Sequence, residues 1–154
     1  MFLLGLAIFV LFTAFIIIAL GGDVYNFINL PTILFIIVPL VGILTATRSF
    51  KVFGVGFKAI VFSKEPISEE MRGKAASLFR FLSKSTALIA ALMVLICIIN
   101  MLMNIDFNDP AVIPHIGTNV AASLVSMVYG VILIAAVFEP IVFILKKRQD
   151  KERK

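Results

Sequence analysis

The chain has 154 residues, of which 61% are hydrophobic and only 15% charged, with a mean hydropathy of +1.10. Soluble domains are nearer half apolar, so the composition excludes an ordinary soluble domain and points to an integral membrane protein forming one membrane domain. A single cysteine, Cys97, leaves no disulfide framework and no Cys-based metal site, and the lone His115 has no companion ligand, so no metal or cofactor is expected.

The gaps between charges count the spans. Residues 1–22, 24–47, 85–105 and 110–138 carry no Asp, Glu, Lys or Arg. Each is long enough for a bilayer crossing of about 20 residues, and only helices satisfy their own backbone groups in hydrocarbon. The pattern predicts an all-α protein with four transmembrane helices near 2–20, 31–48, 84–105 and 117–145. The first span lacks a basic leader and is longer than the apolar core of a signal peptide, and is read as retained.

Lys and Arg set the orientation. Eight of the fourteen fall in 48–84 (Arg48, Lys51, Lys58, Lys64, Arg72, Lys74, Arg80, Lys84) and six in the tail 146–154, whereas loops 21–30 and 106–116 carry only Asp23, Asp106 and Asp109. By the positive-inside rule both termini and the 48–84 stretch are cytoplasmic, and the acidic loops face out. The basic tail reads as a topology signal at an anionic lipid surface, and no nucleic-acid role is expected.

Within the short loop 49–83 one element is readable. Ser68 caps a helix over 68–83 whose first turn holds Glu69 and Glu70. Met71, Ala75, Leu78, Phe79 and Leu82 recur on one side, opposite Arg72, Lys74, Arg80 and Lys84, and Pro66 marks the break before it. This amphipathic helix runs into the third span and lies along the membrane surface or a neighbour, or docks another protein. Gly54-Val55-Gly56 is a lone glycine pair without the following helix signature that phosphate binding requires.

Small and polar residues inside the spans mark where helices meet. Ala122, Ser126 and Gly130 follow at four-residue spacing, with Asn119 and Ser123 beside them, as a packing seam or the wall of a polar passage. Asn100 and Asn104 repeat the spacing near the end of the third span. Glu139 is the carboxylate embedded in an apolar segment, six residues short of Lys146, and is the candidate ionisable group or an interfacial ion-pair partner. Pro140 and Pro39 should bend or loosen their helices. No nucleophile elbow, Walker loop, zinc motif or paired-carboxylate cleft is present, so no catalytic residues and no enzyme are expected.

Gly21-Gly22, then Phe27-Ile28-Asn29-Leu30-Pro31-Thr32 opening the second span, resemble the GG…FID-x-PS segment of the MotA family of flagellar motor stator proteins, within the MotA/TolQ/ExbB proton-channel superfamily. Asn104-Ile105-Asp106 with Asp109-Pro110, then Gly117, Ser126, Tyr129-Gly130 and Phe138 followed by Pro140, resemble that family's later motifs. The resemblance implies a homo-oligomeric, pentameric ring in the bacterial inner membrane, enclosing single-span helices of a MotB-like partner whose carboxylate carries a proton or sodium ion. Position by position, Tyr129, Gly130 and Pro140 match the family, Ser126 stands where it has a threonine and Asn29 replaces its aspartate. This implies ion-path or ring-lining roles for Ser126, Tyr129 and Gly130 and engagement of flagellar motor components. Asn119 and Ser123 join that lining from the polar stripe, with Ala122, Pro39 and Pro140 as helix-packing positions.

The chain departs from the family in two places. Its cytoplasmic stretch is short, so the torque-transmitting domain is largely missing, and its third span carries bulky Met93, Val94 and Leu95 where the family has small residues. Two functions follow: a compact stator or ion-channel subunit, or a non-conducting MotA-like scaffold that docks a neighbouring motor or envelope protein.

Overall fold

The structure is a computed structural model describing residues 2–61, 67–105 and 112–152, all helical or in short connections. Lys64, Pro66, Asp106, Asp109, Pro110, Arg153 and Lys154 lie outside the described residues. Four helical stretches are long and apolar enough to cross a membrane: Phe2–Ala19, Val24–Ala46, Glu69–Met103 and His115–Arg148. The chain is thus built as a multi-pass membrane protein.

Helix α1 (Phe2–Ala19) has no buried residue; Leu6, Phe9, Thr13, Ala14 and Ile17 form the half-covered line that leans on the rest. Gly21 ends it in the left-handed region at φ 76°, while the Gly22 N–H donates to the Ile17 carbonyl at 2.9 Å. A Cβ on Gly22 would stand 3.0 Å from that carbonyl oxygen. The glycine pair is therefore a helix stop, where a residue without Cβ meets no steric penalty. A 3-10 turn (Val24–Phe27) capped by Asp23 leads to α2 (Leu30–Ala46), which Asn29 caps by accepting from the Thr32 N–H at 3.3 Å. Helix α2 runs unbroken through Pro39 and closes with Arg48 in the left-handed region at φ 51°.

The loop after α2 contains a helix that hydropathy and the glycine pair concealed, α3 (Phe50–Val61). Gly54 and Gly56 lie inside it. A Cβ on Gly56 would strike the Phe79 ring, so the missing side chain is what lets α3 approach. Phe53 stacks on Phe79 with ring centroids 5.3 Å apart, and Phe57 and Phe138 meet the same ring edge-on at 5.6 and 5.8 Å.

The expected amphipathic helix and third span are one continuous helix, α4 (Glu69–Met103), capped by Ser68. At 1.5 Å per residue its 35 residues reach about 52 Å, well beyond a hydrocarbon core of about 30 Å. Its apolar face does not lie on lipid: Ala75, Leu78, Phe79 and Leu82 are buried with Ala59 and Ile60 of α3, Leu44 of α2 and Ile141, Val142 and Leu145 further along the chain. Arg72 falls on the buried side, 5% exposed, with its Nη2 donating to the Ile67 carbonyl at 3.0 Å, contrary to the solvent face that periodicity gave it.

The last stretch comprises α5 (Val112–Ile132), a π-helical segment (Leu133–Phe138) and α6 (Glu139–Glu152). Pro140 explains the π segment, because its ring has no N–H and crowds the preceding turn; the Glu139 N–H reaches back five residues to the Ile134 carbonyl. Helix α4 packs against α2, α3, α5, α6 and the π segment, and so forms the axis of the bundle.

The glycines of α3 give a paired test. Gly56→Ala should cost about 1–3 kcal/mol by overpacking Phe79, whereas Gly54→Ala, with open space around it, should gain up to about 1 kcal/mol of helix propensity. Thermal unfolding of the two purified variants checks the opposite signs.

Candidate functional site

The end of the bundle away from the basic residues holds a cleft of about 510 Å³ between α2, α4 and α5. Its existence follows from two hairpins of unequal reach. The Tyr129 hydroxyl, deep in α5, donates to the Phe27 carbonyl and accepts from the Asn29 N–H at 3.3 Å. Tyr129 lies 17 positions beyond Val112, so α2 begins about 25 Å along α5, and α4 and α5 rise past it uncovered.

The floor consists of Asn29, Thr32 and Ser126, with Phe35 and Met93; the walls carry Cys97, Asn100 and Asn104 from α4 and His115, Asn119, Ala122 and Ser123 from α5. Among the described residues the lining includes no carboxylate, lysine or arginine. It offers neutral amides and hydroxyls in number, a convergence not apparent from the spacing of any one span.

Within the cleft the polar groups differ in freedom. Ser123 and Ser126, 4% and 3% exposed, donate to the Asn119 and Ser123 carbonyls of their own helix at 2.7 and 2.5 Å. Asn104 Nδ2 donates to the Asn100 carbonyl at 2.7 Å and its Oδ1 at 3.2 Å. Asn119, Asn100, Asn104 and His115 are exposed. These amides and the imidazole are the groups able to meet a ligand or a partner helix.

Below Ser126 the cleft closes. Gly130 is buried against α4, and a Cβ there would come 2.7 Å from the Ala90 Cβ. The stripe expected on α5 therefore splits: Ser126 and Gly130 pack on α4 within the chain, while Ala122 and Asn119 stay exposed. Tyr129 acts as a clamp between α5 and the entry to α2. The motif loop does structural work throughout, since Gly21 and Gly22 stop α1, Phe27 and Asn29 receive Tyr129, and Pro31 occupies the first turn of α2, where a missing N–H costs nothing.

Glu139 lies apart from the cleft. It is exposed at the start of α6, 20 positions beyond Asn119 and hence roughly 30 Å along the helix. The structure does not bring the candidate ionisable group and the polar lining together within one chain.

Two measurements follow. Tyr129→Phe should destabilise the fold by about 1–3 kcal/mol by orphaning a backbone carbonyl and N–H, and Ser126→Ala should change it far less, because its bond stays within one helical turn. Cys97, the one cysteine, lines the cleft, and should react with a charged, membrane-impermeant thiol reagent in lipid nanodiscs, more slowly in Asn100→Leu. An inert Cys97 would mean a closed cleft. Neither a protein-family model nor a curated protein matches the chain.

Proposed function

We propose that the chain is a MotA-like stator or ion-channel subunit: a homo-oligomeric ring around the single-span helices of a MotB-like partner in the bacterial inner membrane, coupling proton or sodium flow to motion. In this reading the basic end and both termini are cytoplasmic, and the cleft is the outer vestibule of the ion path. The reading is carried by one observation, a cleft of neutral amides and hydroxyls set among apolar spans and open to the side. The floor of the cleft lies at the start of α2, next to the Asp23 turn, and the exposed amides of the cleft stand ready for a partner helix or water. Among the described residues the lining includes no carboxylate, and in this reading the ion-carrying carboxylate is the one a partner's helix supplies. Glu139, exposed on α6, stands on the surface available to a neighbouring copy.

A second reading, the non-conducting scaffold, is favoured by a different observation. The cleft is closed below by Gly130 on Ala90, and two of its hydroxyls are engaged with their own backbone. Among the described residues the cleft then ends at Gly130, and the ring would hold a neighbouring motor or envelope protein through its basic end.

Co-expression with a single-span, carboxylate-bearing partner separates the two. The channel reading expects proton or sodium leak into vesicles, reduced about tenfold by Asn119→Leu, the equivalent of roughly one lost hydrogen bond. An intact assembly without leak, in which Asn119→Leu is harmless and charge reversal at Lys74, Arg80 or Lys84 abolishes partner capture, selects the scaffold.

A further inference from the structure

The face of α4 that meets α5 carries Cys97, Met93, Ala90, Thr86 and Ser83 in order toward the basic end, at the three- and four-residue spacing that keeps them in one line. Cleft lining ends at Met93, yet polarity resumes below Ala90. Thr86 is 0% and Ser83 6% exposed, and neither hydroxyl oxygen has a hydrogen-bond partner among the described residues. A helical Ser or Thr ordinarily donates to a carbonyl three or four residues back, as Ser123 and Ser126 do. Two adjacent buried hydroxyls left unmatched cost more than ordinary hydrogen bonds return, so the site requires a partner.

What faces them can be read from the register. A Cβ on Gly130 would meet Ala90 and, at 3.8 Å, the Thr86 carbonyl, and further down Phe138 meets Phe79. With α4 and α5 antiparallel, Ser83 and Thr86 lie against the π segment Leu133–Phe138. In that segment the Glu139 N–H donates to the Ile134 carbonyl, five residues back, and Pro140 beside it has no N–H to offer a carbonyl of the preceding turn.

We propose that Ser83, Thr86 and the π segment hold an internal water between α4 and the last helix, a hydration site separate from the far-end cleft. The ligand class follows from charge. Every oxygen here is neutral, so a bare cation would lose its hydration without a compensating carboxylate, whereas a water with two to four neutral partners is at home. Exposed Arg80 and Lys84 flank the site and place it near the basic end, from which water enters. The site stands whether or not the chain conducts.

Radiolytic hydroxyl labelling of the full-length wild-type protein in nanodiscs tests this directly, because internal water generates radicals in place. Enclosed Leu82, 1% exposed, should be oxidised faster than Leu88 and Leu92 on the outer face of α4, 72% and 54% exposed. Equal or slower labelling at Leu82 overturns the site. The double variant Thr86→Val, Ser83→Ala supplies the second arm: loss of Leu82 labelling and a midpoint lower by about 2–4 °C support bound water. An unchanged or higher midpoint, the mark of hydroxyls relieved of isolation, overturns it.

Discussion

The close approach of α4 and α5 at Ala90 and Gly130 is the constraint on which the molecule turns. Lipid tails are as apolar as leucine, so two helices gain little by hiding leucines from them and must gain by contact. Gly130 permits that contact by having no side chain to place where Ala90 stands. Above it the helices carry amides and a cleft forms; below it they carry Thr86, Ser83 and then the Phe79 ring. One absent methyl group thus divides a polar half from a packed half.

The two halves are stabilised differently. At the basic end α3, α4 and α6 interdigitate around Phe79, with Leu82, Ile141 and Leu145 almost wholly enclosed. At the far end the restraint is local, since serines and asparagines bond within their own helix and Tyr129 ties α5 to the start of α2. Helix α1 has no enclosed residue at all, so in a membrane its surroundings are lipid or other chains. Packing is therefore dense where charges cluster and sparse where neutral polar groups gather, an arrangement in which the far end retains freedom to receive something.

The chemistry available there is narrow. Among the described residues the lining offers amides, hydroxyls and the His115 imidazole, groups that can orient water, accept a helix or line a path. The embedded carboxylate, Glu139, sits on another face, beside a π segment that Pro140 forces on the helix. Within one chain the two lie roughly 30 Å apart along the last helix.

Charge gaps and apolar length were sufficient to define four spans, and local chemistry was sufficient to place the cap at Ser68 and the disturbance at Pro140. These features depend on neighbours in the chain, so the sequence alone determined them. Helix α3 was hidden because glycines weaken propensity, and their use becomes visible only once Phe79 is in place. The run of the amphipathic segment into the third span was legible, because nothing between them breaks a helix, whereas Arg72 is buried because α4 stands within the bundle and not on a membrane surface. The cleft belongs to the tertiary structure alone: Asn29, Asn100 and Asn119 come from three helices, and where they meet depends on how far α5 runs before Tyr129 reaches the turn into α2.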